Sequence, residues 1–254
     1  MFSDFLSYRE SDDIYFSVKR GDFVTFLGKL NTHIYNNVIY KNSNNFMMVN
    51  YNKISSKNYV DKLYSLIKVA SYDFIDSFET ETVFTELAYN LESLGMKVND
   101  IKDKVSKLSS ILKLPLNVSP YSLSNSKKAL LLIGCSLISE PKMIVIDNLL
   151  EVLDKSDYEI ACKVLKEYVN NENIVLNFTN NVEESLLGNF VYVSDDKKIV
   201  MSGKTMSVLN EEKIMKRLGI NLPFIVLLNK YLIDYNLIDN YILDYASLGG
   251  ALWK

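Results

Sequence analysis

Two short segments of the chain place polar residues where they could contact phosphate or a metal ion. Gly28-Lys29 directly follows the apolar run Phe23–Leu27, and Asp147 directly follows the apolar run Met143–Ile146. In α/β proteins, ligand-binding side chains lie just beyond the carboxyl ends of buried strands. A lysine in such a position can contact a phosphate group, and an aspartate can orient Mg²⁺.

The segment at Gly28 lacks most parts of a phosphate-binding loop. That motif reads G-x-x-x-x-G-K-S/T: its backbone N–H groups surround the phosphates, its lysine contacts them and its hydroxyl binds Mg²⁺. Here Lys29 follows Gly28 directly, no second glycine is available, and Leu30 replaces the hydroxyl residue. Without the surrounding amides a lysine is only a point charge. We therefore interpret Lys29 first as a solvated loop residue, with weak phosphate binding by Gly28 and Lys29 as the alternative.

Composition excludes several classes of protein. The 254 residues include 28 basic and 31 acidic ones, which argues against a nucleic-acid partner because such proteins usually carry a basic surface. The longest apolar stretch, Ala129–Ile138, is shorter than the ~20 residues that a membrane span needs. No secretory signal is expected in Met1–Arg20, and the two cysteines, Cys135 and Cys162, favour a reducing compartment.

Short apolar runs bounded by polar residues predict buried strands. They are Phe23–Leu27, Met143–Ile146, Ile174–Phe178 and Phe190–Val193, with Lys198–Met201 as the return strand of a hairpin. A long, mostly helical insertion separates the first two runs, and the pattern after Gly203 is helical throughout. Alternation of strands and helices is typical of an α/β fold, so we expect an α/β core with a helical insertion and a helical tail.

Apolar spacing predicts three helices within this framework. The clearest has one apolar stripe, formed by Ile101, Val105, Leu108, Ile111 and Leu112. A second follows Ser124 and is apolar almost all round, which predicts that it is buried. A third extends from about Ser156 to Val169.

Several segments in a fixed order carry a resemblance to a known family. They are Val69–Met96, Tyr121–Lys128, Met143–Asp154, Phe190–Gly203 and Leu218–Pro223. In this order they resemble the motifs of the ATP-binding cassette family, and within it the cassettes of energy-coupling factor vitamin importers. Collinear similarity extends from about Gly21 to about Leu237. The resemblance implies a P-loop NTPase-like core.

The same resemblance implies three regions. Residues 1–71 and 138–204 are expected to form the α/β core of the cassette. Residues 72–137 are expected to form the helical subdomain that carries the signature motif. Residues 205–254 are expected to form the C-terminal helical region typical of that importer subfamily.

The signature motif of the resembled family is altered here. In working cassettes it reads Leu-Ser-Gly-Gly-Gln and holds the γ-phosphate of an ATP bound across a dimer. In this chain Ser124 is retained, but Asn125 and Ser126 replace the glycines, and Lys127 follows them. Side chains at these positions interfere with close approach of the backbone to phosphate. Ser124 is therefore expected either to contact phosphate or to serve only as a helix N-cap, and Lys127 could tolerate a phosphate.

The other motif positions imply that catalytic groups are lost. By resemblance, Asp147 is the Walker B aspartate and a candidate ligand of Mg²⁺, while Asn148 replaces the glutamate that acts as general base. Asn180 replaces the switch histidine, and Tyr72 stands at the Q-loop position that couples to a membrane subunit. An amide cannot accept a proton from water at neutral pH. Asp154 matches the D-loop aspartate, with a dimer contact and a helix N-cap as equal alternatives.

The remaining reactive side chains match no catalytic position. His33 is the only histidine and is expected to be a surface or packing residue. Cys135 and Cys162 lack metal-binding spacing and are expected in the core. The aromatic residue that stacks on adenine in working cassettes falls on Tyr8, or equally on the position of Glu10.

The resemblance implies a non-catalytic cassette subunit that does not hydrolyse ATP by itself. It would pair with an active paralogous cassette, offer Ser124 to the partner's ATP, and contact a transmembrane coupling subunit near Tyr72. It would act on the cytoplasmic face of the membrane in uptake of a micronutrient such as a vitamin. ATP and Mg²⁺ would bind weakly, if at all, through Gly28, Lys29 and Asp147.

Two other functions stay open at this point. The chain could be a weakly active ATPase that retains nucleotide binding through Lys29 and Asp147. Alternatively, it could be a scaffold that has kept the fold but serves no transporter, because a fold does not fix a function.

Overall fold

The computed structural model describes residues 4–40, 46–50, 52–54, 63 and 66–253 and shows two β-sheets covered by helices. The strands are β1 Asp4–Arg9, β2 Tyr15–Lys19, β3 Phe23–Gly28, β4 Phe46–Val49, β5 Asn52–Lys53, β6 Ile67–Ser71, β7 Met143–Asp147, β8 Ile174–Thr179, β9 Phe190–Ser194 and β10 Ile199–Lys204. The helices are α1 Asn31–Tyr40, α2 Val83–Glu92, α3 Val98–Leu112, α4 Asn125–Leu137, α5 Lys155–Asn170, α6 Thr205–Leu209, α7 Glu212–Arg217, α8 Phe224–Asp234 and α9 Tyr245–Leu252. Short 3₁₀ helices occupy Tyr72–Phe74, Pro120–Ser122, Leu150–Val152 and Val182–Leu187.

The larger sheet positions the candidate site. Within the described residues it has six strands in the order β10-β9-β3-β8-β7-β6, all parallel except the antiparallel β10. Its central strands are apolar and buried on both faces, as expected for a parallel sheet covered by helices. The predicted α/β core is confirmed, and the predicted strands are present with ends that differ by up to three residues.

Strand register brings the polar ends of this sheet to one edge. Ser71 pairs with Asp147 across β6 and β7, Leu27 lies opposite Thr179, and Gly28 lies opposite Ser194. These pairs come from segments far apart in the chain. The carboxyl ends of parallel strands meet at the same edge, so the residues form one continuous row.

The prediction for the chain between β3 and β7 was incomplete. It holds the strands Phe46–Val49, Asn52–Lys53 and Ile67–Ser71 besides its helices. Within the described residues, β1, β2, β4 and β5 form a separate antiparallel sheet in the order β2-β1-β4-β5. Each of the missed strands is short. Both residues of β5 are exposed, and β4 and β6 have exposed or half-buried positions among the buried ones.

Stacked aromatic rings join the two sheets. Phe26 stacks on Phe178 at 4.6 Å and on Tyr192 at 5.1 Å between ring centroids, and Phe16 of the smaller sheet meets the edge of Phe26 at 4.9 Å. Such pairs contribute about 0.5–1.5 kcal/mol beyond their buried area. The cluster therefore fixes how the smaller sheet lies on the face that also carries α1.

The opposite face of the sheet is covered by the helical insertion. Ile101, Val105 and Leu112 of α3 are buried as predicted, but Ile111 is 44% exposed, so its place on the buried stripe was wrong. Adjacent residues lie about 100° apart around a helix, so Ile111 turns away when Leu112 faces the core. The helix after Ser124 is buried on most sides, as expected.

The C-terminal segment forms helices after Lys204, where β10 ends. These helices share a third apolar core with Leu27, Val191 and Val193 of the larger sheet. Among the helices in the described residues, none combines the length and apolar character needed to cross a bilayer. The division into residues 1–71 with 138–204, 72–137 and 205–254 stays a prediction.

Candidate functional site

The turn after β3 is packed against the neighbouring strand. Gly28 has φ +112°, and a Cβ added there would lie 2.1 Å from the backbone oxygen of Ser194. The backbone N–H of Leu30 donates to Ser194 Oγ at 3.1 Å, and that hydroxyl donates to the carbonyl of Leu27 at 3.3 Å. One amide of the turn is thus bound to β9. In a phosphate-binding loop the backbone amides would instead point towards the ligand.

The side chain of Asn31 also holds this turn against the sheet. Its side chain is buried, and its Nδ2 donates to the carbonyl of Phe26 at 2.9 Å and to the carbonyl of Thr179 at 2.8 Å. The first residue of α1 thereby joins the ends of β3 and β8. The predicted phosphate contact Lys29 is an exposed residue beside this turn, in line with its interpretation as a solvated loop residue.

Tyr35 covers the end of β7. It is 4% exposed, meets Phe178 edge-on at 5.8 Å between ring centroids, and forms a side-chain hydrogen bond with Ser71. Ser71 Oγ in turn donates to Asp147 Oδ2 at 2.9 Å. Burial raises the pKa of Tyr35, so the phenol is neutral at physiological pH. A row from Tyr35 through Ser71 to Asp147 thus occupies the edge where a ligand would be expected.

Asp147 is held by neutral donors. Besides Ser71 on Oδ2, Asn148 Nδ2 donates to Asp147 Oδ1 at 3.0 Å. Burial raises the pKa of Asp147, the hydrogen bond from Ser71 lowers it, and the nearby charge of Asp73 raises it further. The carboxylate therefore lies in a site that opposes its charge.

The residues present do not fit Mg²⁺ held by this chain alone. Leu30 is buried where the metal-binding hydroxyl is expected, and both oxygens of Asp147 already have donors. Nowhere in the described part of the chain do three or more His, Cys, Asp or Glu side chains come together in a way that could hold a metal ion. The suggested role of Asp147 as a metal ligand therefore lacks its supporting groups.

Asparagines stand at the two positions where catalytic residues were expected. Asn148 has φ +47°, and its N–H donates to the carbonyl of Phe178 at 2.9 Å. Asn180 is exposed directly after β8, followed by a turn in which the N–H of Asn181 donates to Thr179 Oγ1 at 3.0 Å. Neither amide can act as a general base at neutral pH.

The signature segment forms the start of α4. Ser124 is its N-cap and accepts a hydrogen bond from the N–H of Lys127 at 3.3 Å. Lys127 Nζ contacts the buried carboxylate of Asp157 at 2.7 Å, and Ser126 Oγ donates to the same carboxylate at 2.6 Å. The charge of Lys127 is therefore balanced within the chain by Asp157, and its suggested tolerance of a phosphate stays a prediction.

Asp154 joins the signature segment to the next helix. It caps α5, accepting from the N–H of Asp157 at 2.9 Å, and its own N–H donates to Ser126 Oγ at 3.0 Å. The backbone hydrogen bond from Asp157 is the largest cause that lowers the pKa of Asp154. The N-cap alternative for Asp154 is confirmed, and its role as a dimer contact stays a prediction.

The candidates near the expected adenine position are engaged elsewhere. Tyr8 is fully buried and stacks on Phe16 at 5.2 Å between ring centroids, so it has no free face for a base. Its hydroxyl donates to Glu10 Oε2 at 3.0 Å, and His33 Nε2 lies 2.8 Å from the same oxygen. His33 is exposed, so of the two expected roles, surface or packing residue, the surface role is confirmed.

Tyr72 lies beside the site without contacting its carboxylate. It is 46% exposed, whereas the preceding Ser71 supplies the hydrogen bond to Asp147. Its role in coupling stays a prediction. Cys135 and Cys162 are free and half-buried, and burial raises the pKa of both thiols, which suits inert packing residues.

Sequence reasoning missed the residues that fill the site. Ser71, Ser194 and Tyr35 contact or cover positions that belong to distant segments. The available signal for Ser194 was its place at the end of the predicted run Phe190–Val193. Ser71 and Tyr35 carried no comparable signal, since neither follows an apolar run of the expected kind.

The chain is similar to known transporter subunits in sequence. No protein-family model matches it. It is 29% identical over 162 residues to an energy-coupling factor transporter ATP-binding protein, EcfA, of Pediococcus pentosaceus, covering 63% of this chain and 56% of the relative. It is 26% identical over 233 residues to an EcfA1 protein of Clostridioides difficile, covering 88% of this chain and 83% of the relative. The first alignment thus spans little more than half of the relative's length.

Solved structures support the fold. A cbiO1 protein of Clostridium perfringens, described as part of the ABC transporter complex cbiONQ, superposes with a TM-score of 0.72 at 18% identity. The superposition covers 90% of this chain and all of that one. At this level of identity the likeness establishes the ATP-binding cassette fold of the P-loop NTPase type.

Proposed function

We propose that the chain is a non-hydrolysing cassette subunit of an energy-coupling factor type transporter, because it has the ATP-binding cassette fold and is similar in sequence to energy-coupling factor ATP-binding proteins. The observation that carries the proposal is the closed turn at Gly28. Its amide at Leu30 binds Ser194, and Asn31 joins the adjoining strand ends. A loop closed in this way offers no ring of amides to a triphosphate.

The chemistry of ATP hydrolysis needs what this site lacks. Phosphoryl transfer depends on positioning and electrostatic stabilisation of the phosphates, and general-base catalysis adds about 10²–10⁴-fold. Asn148 removes the base, and Tyr35 lies at the edge of the sheet where the phosphates would approach Asp147. We infer that ATP and Mg²⁺ bind this half of the site weakly, if at all.

The signature end supports a role in a dimer with an active cassette. In the family, each ATP lies between the phosphate loop of one subunit and the signature segment of the other. Ser124 and Asn125 are exposed at the start of α4, where the helix dipole favours an anion. This end of the chain could therefore serve the ATP of an active paralogue even though its own turn is closed.

Exposed aromatic residues support contact with a membrane subunit. Tyr72 and Phe74 are 46% and 37% exposed in the 3₁₀ helix that leads from the sheet into the helical insertion. We propose that a transmembrane coupling subunit covers them on the cytoplasmic face of the membrane. From the similarity to energy-coupling factor proteins we infer that the transporter takes up a micronutrient.

The first experiment measures ATP binding and turnover by the purified chain. We expect no Mg²⁺-dependent turnover, and none after Asn148→Glu, because the base alone does not supply a phosphate loop. The matched control is Asn99→Glu, at an exposed position near the start of α3 and outside the proposed nucleotide-binding segments. Steady turnover by the wild type, or turnover gained with Asn148→Glu, would contradict the proposal and favour a weakly active ATPase.

The second experiment identifies the assembly. The tagged chain is purified from native membranes in mild detergent, and its companions are identified by mass spectrometry. We expect one cassette protein with intact phosphate loop and catalytic glutamate, together with a protein that crosses the membrane. A homodimer without membrane association would instead favour the scaffold alternative.

A further inference from the structure

A polar cluster lies buried on the sheet face opposite Tyr35. Asn177 of β8 and Glu184 of the 3₁₀ helix Val182–Leu187 are 0% and 1% exposed. Side chains alternate along a strand, so Asn177 faces away from its neighbour Phe178, which contacts Tyr35. Neither residue belongs to a motif that the proposed function uses.

The two side chains share one hydrogen bond and leave two oxygens unpaired. Asn177 Nδ2 donates to Glu184 Oε2 at 2.8 Å. Among the described residues, Asn177 Oδ1 and Glu184 Oε1 have no hydrogen-bond partner, although both atoms are buried. Both are acceptors when the carboxyl group is ionised. Unpaired polar atoms are rare in protein interiors and indicate a missing donor.

We propose that Glu184 is protonated in the folded chain and that its Oε1–H donates to Asn177 Oδ1. A carboxylic acid and a primary amide are planar groups that can form two parallel hydrogen bonds, one in each direction. The bond from Asn177 Nδ2 is already present, and one proton on Glu184 supplies the donor that both remaining oxygens lack. The two hydrogen bonds then hold the 3₁₀ helix Val182–Leu187 against β8.

The groups around Glu184 favour its neutral form. Burial is the largest cause that raises its pKa, to about 7, and the charge of Glu151 from the 3₁₀ helix Leu150–Val152 raises it further. The hydrogen bond from Asn177 lowers the pKa of Glu184, and the nearby polar side chains of Thr179 and Asn181 act in the same direction. The other titratable groups around it are Tyr158 and Cys162 on α5, and Glu183 on its own segment.

The acid–amide pair makes this contact sensitive to pH. A carboxyl group whose folded pKa exceeds its unfolded pKa favours the folded state most at low pH. Stability from this pair therefore falls as pH rises from the unfolded value of 4.5 to the folded value of about 7, and it is constant above that. Ionised Glu184 would place a charge beside an oxygen of Asn177 that has no donor.

The alternative occupant of the gap is a water molecule beside an ionised Glu184. Thr25 lies opposite Asn177 on β3, and its hydroxyl also has no partner among the described residues. A water joining Thr25, Asn177 and a charged Glu184 would satisfy the same atoms. The arrangement with water needs the negative charge of Glu184, whereas the acid–amide pair needs a neutral Glu184. The two arrangements therefore predict different effects when Glu184 is replaced by a neutral residue.

The test uses Glu184→Gln, which replaces the proton by a permanent N–H donor of similar shape. Melting temperatures are compared from about pH 5 to about pH 9, since linkage predicts the change within that window. We expect the melting temperature of the variant to match the wild type at the acidic end and to exceed it above the folded pKa. Glu183→Gln, one residue earlier and exposed, is the control and should follow the wild type throughout.

A direct measurement accompanies the melts. The ¹³C chemical shift of the Glu184 carboxyl carbon should titrate with a midpoint near 7. An ordinary carboxylate midpoint would overturn the proposal. A constant loss of melting temperature in Glu184→Gln at every pH would also overturn it, and would indicate the ionised group with its water.

Discussion

Replacing Gly28 by alanine tests whether the turn after β3 is closed. The new Cβ would lie 2.1 Å from the backbone oxygen of Ser194, a distance that real Cβ atoms do not tolerate. The oxygen belongs to β9, so it can retreat only if the strand moves. The φ of +112° adds backbone strain for any residue with a side chain.

Both effects can be sized. A non-glycine residue in a sparsely populated backbone region costs about 1–3 kcal/mol, and forcing extra atoms into a packed interior costs about 1–3 kcal/mol more. We therefore expect Gly28→Ala to lower the free energy of unfolding by about 2–6 kcal/mol. Urea denaturation followed by circular dichroism measures this change, provided that the m-value is retained.

Gly95→Ala separates strain from collision. Gly95 has φ +71°, but a Cβ added there would meet nothing within 4 Å. This variant should lose only the strain contribution of about 1–3 kcal/mol. Equal losses in Gly28→Ala and Gly95→Ala would show that the turn is not packed on Ser194, and the case against phosphate binding at this turn would fail.

Two further substitutions examine the groups that fill the site. Asp147→Asn should raise the melting temperature at neutral pH, because burial raises the pKa of Asp147 and so disfavours its ionised form in the folded chain. This gain should shrink in acid, where the wild-type carboxyl group is protonated. Thermal melts at several pH values measure the effect, and a gain that does not change with pH would contradict the reasoning. Asn31→Ala should lower the free energy of unfolding by about 2–3 kcal/mol, because the carbonyls of Phe26 and Thr179 lose their hydrogen-bond donor. The control is Thr32→Ala at an exposed position, and a loss in Asn31→Ala no greater than in this control would refute the prediction.

The central strands were predictable because burial on both faces makes them continuous apolar runs. Met143–Asp147 and Ile174–Thr179 are buried at every position, so their composition alone marks them. Ile67–Ser71 lies at the edge of the same sheet and includes Lys68 and the polar Ser71, so it does not read as such a run. Its strand structure is decided by pairing with β7, which is a tertiary contact.

The site could be predicted only as far as each residue follows a recognisable motif. Asp147 and Ser124 were found from their place after a strand and before a helix, and both have the expected local structure. Their surroundings depend on contacts between remote segments. Ser71 meets Asp147 through strand register, and Ser194 meets Leu30 across 164 residues of chain. Such contacts cannot be predicted from the spacing of residues in the sequence.

The short turn and the filled site have one physical origin. Because α1 begins at Asn31, three residues after Gly28, its first turn lies directly at the edge of the sheet. Asn31 and Tyr35 are four residues apart and share one face of the helix, so both reach the strand ends. Asn31 and Tyr35 therefore occupy the space that a longer loop between β3 and α1 would need.

This arrangement explains why a carboxylate introduced at Asn148 is not expected to produce ATP hydrolysis. A glutamate at Asn148 would add a carboxylate beside Asp147, whose pKa burial and Asp73 already raise. No cation of the described residues is bonded to Asp147 to offset the added charge. The donor that Asn148 gives to Asp147 would be lost in the same change. Asn148→Glu should therefore lower stability at neutral pH without producing turnover, and only a longer turn before α1 would reopen the site.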